Sequence, residues 1–172
     1  NFSLRLILAA FACALIAAGI ASPAEAAAKK KAAPAPKYSA IVIHADTGDI
    51  LLAKYVDEER FPASLTKMMT LYLLFEEIEA GRLNLDSPLT VSEQAAGQPP
   101  SKLGLTAGST ITVEQAIQAL IVKSANDVAV TVAEGVSGSE WKFAQEMTAR
   151  ARSLGMRNTT FKNASGLPNS RQ

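Results

Sequence analysis

Cysteine and histidine are nearly absent from this sequence, and their scarcity excludes several kinds of active site. The 172 residues contain one cysteine, Cys13, and one histidine, His44. Cys13 lies in an apolar N-terminal run, where it is interpreted as a filler residue, so neither a disulfide nor a catalytic thiol is expected. A zinc site built from histidine and cysteine needs three or four such ligands and is excluded. A Ser-His-Asp triad could use only His44.

An excess of charge of one sign is also lacking, which argues against a nucleic-acid partner. Lysine and arginine number 17, aspartate and glutamate 16, and the formal net charge is +1. Nucleic-acid-binding domains usually carry clustered basic residues. The one basic cluster, residues 29–31, stands among alanines and prolines, and residues 27–37 are predicted to form a flexible linker. A surface-binding role for this cluster is the less favoured alternative.

Residues 1–26 are predicted to be a secretory signal peptide. Arg5 gives a sparse positive start, an uncharged apolar run extends from Leu6 to Ile20, and residues 24–26 (AEA) offer a small-x-small cleavage pattern. The rival interpretation is a transmembrane anchor, but the run is short for one, since about 18 apolar residues or more are expected. The protein is therefore expected to be exported.

After the linker, about 135 residues remain, which is enough for one hydrophobic core. Residues 38–45 (YSAIVIHA) and 50–56 (ILLAKYV) are rich in β-branched side chains, and the DTGD between them is typical of a turn. A β-hairpin is predicted here, with His44 at the end of its first strand. A lone histidine in this position is more often structural than catalytic.

A long apolar helix is predicted after the hairpin. It opens at residues 62–64 and ends at Gly81, and its almost unbroken apolar run predicts burial on most sides. Residues 84–108 are rich in proline, glycine, serine and glutamine, and are predicted to be loop with at most short strands.

Further helices are predicted in the C-terminal half. A capping box at residues 112–115 (TVEQ) starts one of them, and residues 124–127 (SAND) then interrupt the apolar pattern. A second apolar helical run follows and is expected to end at Gly135 and Gly138. Ser139 is predicted to cap a more amphipathic helix.

Ser64 and Lys67 are the candidate catalytic pair. Residues three apart on a helix share a face, so the two side chains can touch. A serine hydroxyl is a poor nucleophile until a base takes its proton, and lysine can act as that base only when neutral. The positive end of the helix and the apolar surroundings both disfavour the ammonium form. A free N–H at the helix start could also face an oxyanion.

A second Ser-x-x-Lys, formed by Ser139 and Lys142, illustrates the alternative in which the pattern arises by chance. It opens a half-polar helix, where Ser139 is explained as an N-cap and Lys142 as a solvated residue. The buried setting, rather than the pattern, therefore favours Ser64. Ser124 and Asn126, in the break between two apolar helical runs, form the second candidate group, although taken alone either could be a helix cap.

Together these groups resemble the penicilloyl serine transferases, whose motifs are Ser-x-x-Lys, Ser-x-Asn and Lys-Thr-Gly. More narrowly, the chain resembles the D-alanyl-D-alanine carboxypeptidases among the low-molecular-mass penicillin-binding proteins. The resemblance covers most of residues 38–172 and rests on residues 62–70 (PASLTKMMT) and 123–127 (KSAND). Looser similarity lies at residues 103–108 and at 161–168 (FKNASGLP). No Lys-Thr-Gly is present in the 172 residues.

The resemblance implies an α/β (α+β) fold of the β-lactamase and penicillin-binding-protein type, with a sheet flanked by helices and a helical subdomain. Residues 38–172 would be the N-terminal part of the catalytic domain, holding the first hairpin and the helical subdomain. It also implies a periplasmic hydrolase without a metal or organic cofactor, whose partners are peptidoglycan stem peptides ending in D-Ala-D-Ala and β-lactam antibiotics. Attachment to the inner membrane through a C-terminal segment is left open.

The same resemblance implies the roles of the candidate residues. Ser64 would attack the D-Ala-D-Ala peptide bond, Lys67 would be the general base, Ser124 would relay a proton to the leaving amine, and Asn126 would hold the substrate amide. The alternatives that stay open are a β-lactamase, a DD-endopeptidase or transpeptidase on the same scaffold, and a non-catalytic wall-binding or antibiotic-sensing module. The 172 residues alone are expected to be inactive.

Overall fold

The computed structural model describes residues 38–171, and these form two compact units that meet at Val56 and Asp57 in the chain. The predicted signal peptide and the predicted linker lie outside the described residues. Within residues 38–171, no helix combines the length and the hydropathy needed to cross a membrane.

The first unit contains the predicted hairpin. Strands β1 (Ala40–Ile43) and β2 (Ile50–Lys54) pair antiparallel, with an irregularity between Val42 and Ile43. His44 lies in the turn, where its Nδ1 accepts hydrogen bonds from the backbone N–H groups of residues 46 and 47, both at 3.3 Å. The structure therefore gives His44 the structural role expected from the sequence. Apolar residues of both strands are exposed, including Ile41, Ile50 and Leu51.

The second unit begins with the helix predicted around Ser64. A single 3₁₀ turn (Ala63–Leu65) leads into α1 (Thr66–Glu79), and Gly81 follows with φ of +71°. The prediction of burial on most sides is wrong. One face of α1 is buried, while an apolar stripe on the other face is solvent-exposed, comprising Leu65, Met68, Tyr72 and Phe75. Apolar periodicity reports that a face is suited to burial, but it does not identify the partner that covers it.

Residues 84–108, predicted as loop, hold one short strand and one short helix, and a second short strand follows this region. Strand β3 (Pro88–Thr90) pairs antiparallel with β4 (Thr110–Thr112), and helix α2 (Glu93–Ala96) lies between them in the chain. Ser92 caps α2 by accepting a hydrogen bond from the Ala95 N–H. Strand β3 fits the expectation of short strands, whereas β4 lies beyond the region of that prediction. Helix α2 was not predicted because one helical turn has no periodicity to detect.

The C-terminal half follows the predicted helices closely. The predicted capping box is present at the start of α3 (Val113–Gln118), which continues into a π-helical turn (Ala119–Lys123). Helix α4 (Asn126–Ser137) follows the polar break, and α5 (Glu140–Ser153) starts after the Ser139 cap.

Helix α4 is the centre of the second unit. It packs against α1, α2, α5 and β3, and most of its residues are fully buried, which is why its sequence is apolar on all sides. Gly135 was predicted to end this helix, but it lies inside it. A Cβ at Gly135 would stand 2.7 Å from Leu89 Cδ2 of β3, so glycine here permits close packing of a strand on the helix. Gly138, with φ of +78°, is the residue that ends α4.

Candidate active site

Ser64 lies in the 3₁₀ turn at the start of α1, with its side chain exposed to solvent. The preceding Ala63 has φ of +49°, a left-handed conformation that is costly for a residue with a Cβ. Such outliers concentrate at functional sites, where surrounding structure holds them. No hydrogen bond from the backbone N–H of Ser64 is found within residues 38–171.

Lys67 is buried one turn further along, with 3% of its surface exposed. Its Nζ donates to Asn126 Oδ1 at 2.8 Å and to the Ser165 carbonyl oxygen at 2.7 Å. Burial away from water lowers the pKa of Lys67 below that of a free lysine. A neutral amine has two N–H groups and one lone pair, so these two acceptors leave the lone pair directed elsewhere. No hydrogen bond joins Lys67 to Ser64 within the described residues.

The second Ser-x-x-Lys pattern has the structure expected of a chance match. Ser139 is the N-cap of α5 and accepts a hydrogen bond from the Lys142 N–H at 3.3 Å. The Lys142 side chain is exposed. The two patterns are identical in spacing, and burial of the lysine is the physical difference between them.

Ser124 ends the π-helical turn in a left-handed conformation, with φ of +55° and ψ of +42°. Its N–H donates to the Ala119 carbonyl, five residues earlier, which is the hydrogen bond that defines a π-helix. π-Turns occur frequently at functional sites because the extra residue redirects the side chains that follow. Left-handed backbone conformations thus occur at Ser124 itself and at Ala63, the residue that precedes Ser64.

Asn126 follows at the start of α4 and is 5% exposed. Its Oδ1 accepts from Lys67, and its Nδ2 donates to the Pro99 carbonyl at 2.9 Å. Its backbone N–H donates to the Ser101 carbonyl at 2.7 Å. These contacts fix which end of the amide faces Lys67. An amide NH₂ group has two N–H donors, so one remains for a ligand.

Three of the four predicted site residues line one cleft of about 530 Å³. These are Ser64, Lys67 and Ser124, and apolar side chains complete the lining, including Met68, Leu71, Leu120 and Ile121. Asn126 is connected to the cleft through Lys67. The structure therefore brings all four predicted residues into one neighbourhood, although they are separated in the chain.

A larger cleft of about 610 Å³ lies between α1 and α5, but its lining includes none of the four predicted site residues and neither a lysine nor a histidine. Four of its charged side chains form two ion pairs: Arg150 contacts Glu76 at 3.0 Å, and Arg82 contacts Glu77 at 2.6 Å.

Sequence reasoning did not give a role to Asp127, although the residue follows Asn126 directly. Its side chain is fully buried, and Oδ2 accepts from the N–H groups of Gly104 and Leu105 at 2.8 and 3.1 Å. Oδ1 accepts from the N–H groups of Leu103 and Val128. Asp127 thus holds the loop that supplies the Pro99 and Ser101 carbonyls to Asn126. Only the looser similarity noted at residues 103–108 pointed to this loop.

Residues 161–168 (FKNASGLP) form the other contact that was not assigned from the sequence. Ser165 supplies a carbonyl to Lys67, and the next residue, Gly166, has φ of +81°. A Cβ at Gly166 would lie 1.8 Å from the Ala63 carbonyl oxygen, so only glycine allows this segment to reach the turn that carries Ser64.

Comparison with known proteins bears on this arrangement. The family model described as D-alanyl-D-alanine carboxypeptidase, peptidase family S11, matches residues 25–172. This chain belongs to the D-alanyl-D-alanine carboxypeptidase family. Among relatives, it is 39% identical over 129 residues to D-alanyl-D-alanine carboxypeptidase DacF of Bacillus subtilis, which covers 75% of this chain and 33% of DacF.

Solved structures of family members have the same fold. The crystal structure of the D-alanyl-D-alanine carboxypeptidase DacD from Francisella tularensis matches with a TM-score of 0.76 at 38% identity, covering 78% of this chain and 32% of that chain. Penicillin-binding protein D2 from Listeria monocytogenes, in its cefotaxime-bound form, matches with a TM-score of 0.66 at 32% identity, covering 78% of this chain and 54% of that chain.

These matches confirm the family and the α/β fold class that the two motifs predicted. The chain spans about a third of the length of several curated relatives, including DacF at 33% and DacA of Escherichia coli at 34%. The described residues thus correspond to part of the family fold, the part that carries Ser64, Lys67, Ser124 and Asn126.

Replacing Asp127 by asparagine is expected to destabilise the protein by about 2–6 kcal/mol. An amide nitrogen at the Oδ2 position would leave the N–H groups of Gly104 and Leu105 without an acceptor, at roughly 1–3 kcal/mol each. Chemical unfolding measures the loss. Asp86→Asn, at an exposed carboxylate, is the matched control and is expected to stay within about 0.5 kcal/mol of wild type. Equal stability of the two variants would contradict the assigned role of Asp127.

Proposed function

We propose that the protein is a serine-type D-Ala-D-Ala carboxypeptidase, which removes the terminal D-Ala from peptidoglycan stem peptides through an acyl-enzyme on Ser64. The observation that carries the proposal is the buried Lys67, whose Nζ is bound by Asn126 and Ser165 in the same cleft as an exposed serine. Membership of the D-alanyl-D-alanine carboxypeptidase family supports the choice of substrate.

In the acylation step, Ser64 Oγ attacks the carbonyl carbon of the peptide bond between the two D-Ala residues. Lys67 takes the hydroxyl proton, since burial lowers its pKa and favours the neutral amine. The carbonyl oxygen becomes an oxyanion, and the Ser64 N–H donates a hydrogen bond to it. Asn126 offers its second amide N–H to the substrate's peptide carbonyl.

Collapse of the tetrahedral intermediate breaks the C–N bond and releases D-Ala. The leaving amine requires a proton, and Ser124 relays it from the protonated Lys67, since both residues line the cleft. A water molecule then attacks the ester carbon, and Lys67 again accepts a proton. Hydrolysis restores the Ser64 hydroxyl and frees the shortened stem peptide.

β-Lactams are proposed as the second class of ligand, acylating the same serine. Their amide lies in a strained ring, and opening the ring by Ser64 retains the departing amine in the product. The cefotaxime-bound relative from Listeria monocytogenes supports this ligand class. Because peptidoglycan lies outside the inner membrane, the proposed location is the periplasm, reached through the signal peptide predicted at residues 1–26.

Covalent labelling tests the identity of the nucleophile. The complete natural polypeptide that contains these 172 residues, here termed the full-length protein, is expected to carry labelled penicillin on Ser64. Ser64→Ala should abolish the label, because Ser64 is the exposed serine of the cleft that Lys67 lines. Peptide mapping locates the modified residue. Ser139→Ala is the control and should label like wild type, whereas label on Ser139 would contradict the assignment.

Lys67→Arg tests whether the lysine acts as a base. Arginine keeps a positive charge, but its guanidinium does not deprotonate in proteins. Removal of a general base typically slows a reaction by about 10²–10⁴-fold, and that loss is expected in the penicillin acylation rate. Lys142→Arg, in the exposed Ser-x-x-Lys pattern, should leave the rate unchanged. An arginine variant at Lys67 that acylates within a few-fold of wild type would exclude the base mechanism.

Residues 27–172 expressed alone are expected to acylate at least about 100-fold more slowly than the full-length protein. No Lys-Thr-Gly is present in these residues, and by the family resemblance that strand supplies the second oxyanion donor, whose loss costs about 10²–10³-fold. A two-stranded hairpin without partners is also marginally stable in water, so a weakly cooperative thermal transition is expected. Equal acylation rates and equal cooperativity in the two forms would refute this prediction.

A further inference from the structure

The segment that binds Lys67 from the side opposite Asn126 is itself tied to the start of α5. Ala164 and Ser165 are buried, at 0% and 2% exposure. The Ser165 carbonyl accepts from Lys67 Nζ, and the Ala164 carbonyl accepts from Thr70 Oγ1 at 2.7 Å. Both carbonyls thus face α1, and they can do so only if the intervening backbone is held in one orientation.

Glu140 holds that backbone. Its Oε1 accepts from the Ala164 N–H at 3.1 Å, and its Oε2 accepts from Gln94 Nε2 of α2 at 2.9 Å. The Ala164 N–H is two peptide planes from the carbonyl that binds Lys67, so its acceptor fixes the plane at which this stretch of backbone begins. The plane of the Ser165 carbonyl is held at its other end, where the Gly166 N–H donates to Asn163 Oδ1 at 2.7 Å. Burial raises the pKa of Glu140, an effect that the hydrogen bonds from Ala164 and Gln94 oppose.

Among residues 38–171, Glu140 forms no ion pair with a side chain of opposite charge. The groups that face it are the Ala164 N–H, the Gln94 amide and the carboxylate of Glu134 on α4, which raises the Glu140 pKa further. None of the salt bridges within residues 38–171 involves Glu140 or Lys67. A half-buried carboxylate without a cation is costly, and here its compensation comes from the hydrogen bonds to Ala164 and Gln94.

We propose that Glu140 is a positioning residue for the general base, acting through Ala164 and Ser165 on Lys67. This inference rests on the proposed function, since it assigns Lys67 the role of base. With Asn126 and Ser165 both accepting, the two N–H groups of the neutral amine are fixed and its lone pair has one direction. If the Ser165 carbonyl shifts, the amine can rotate about its carbon–nitrogen bond, and the lone pair is no longer held for the serine proton.

Loss of the contact between the Ser165 carbonyl and Lys67 changes the pH dependence of the acylation rate, which simple destabilisation of the fold would not do. A carbonyl binds an ammonium more strongly than a neutral amine, so the Ser165 contact favours protonated Lys67. Removing it lowers the Lys67 pKa, and the acid limb of the acylation profile moves to lower pH. The plateau rate falls as well, by about 10–100-fold, since misplacement by about 1 Å can cost 100-fold.

The test compares Glu140→Ala, Glu140→Gln and Glu93→Ala in the full-length protein. Glu93 is the matched control, because it also follows a serine N-cap at the first position of a helix but is exposed. Penicillin acylation rates are measured between about pH 5 and about pH 10 and are normalised to the amount of active protein. Thermal unfolding of each variant is measured alongside. Gln keeps an acceptor for the Ala164 N–H and can bond Gln94 after rotation of that amide.

Glu140→Ala is expected to lower the plateau and shift the acid limb to lower pH, while Glu140→Gln and Glu93→Ala retain the wild-type profile within a few-fold. An alanine variant with only a lower melting temperature, or a glutamine variant that behaves like alanine, overturns the inference. Glu140→Asp replaces the alanine variant if that one does not fold, because it keeps the carboxylate but withdraws it by one methylene. Wild-type protein that is not acylated on Ser64 overturns the proposed function itself, which separates the two failures.

Discussion

The burial of Lys67 between two oxygen atoms is the interaction on which the rest of the site depends. Lys67 has 3% of its surface exposed and is largely removed from water, so its amine requires protein acceptors. They come from Asn126 and Ser165, which lie 59 and 98 residues further along the chain. Three distant segments must therefore converge on one nitrogen atom, and the fold of the second unit is organised to hold them together.

The features at this convergence point are mostly backbone features. Asp127 binds the loop that orients Asn126, Gly166 permits a contact that any Cβ would prevent, and Ser124 takes a left-handed conformation at the end of a π-turn. Each is locally unfavourable or demanding. Left-handed φ costs about 1–2 kcal/mol for a residue with a Cβ, and a buried carboxylate needs every acceptor position matched. The largely buried α4, which packs against α1, α2, α5 and β3, supports these arrangements.

The site residues that could be predicted from the sequence are those whose polar side chains stand among apolar neighbours. Ser64 with Lys67, three residues apart on an apolar helix, could be distinguished from Ser139 with Lys142 by the polarity of the neighbouring residues alone. The carbonyls of Pro99 and Ser165 could not be predicted, since every residue has a carbonyl and only the tertiary fold selects these two. Gly135 was misread for a related reason, because a glycine that ends a helix and one that admits a packed strand look alike in sequence.

Helix α1 has a buried face that binds other parts of the second unit and an apolar face that is exposed to solvent. Its buried face, through Lys67 and Thr70, binds the segment at residues 161–168, and this contact is complete within the described residues. No hydrogen bond joins its opposite apolar face to Lys67 within residues 38–171. Both hydrogen bonds of Lys67 Nζ go to α4 and to the segment at residues 161–168. The environment of Lys67 can therefore be studied through Asn126, Asp127 and Glu140 separately from whatever contacts the exposed face of α1 makes.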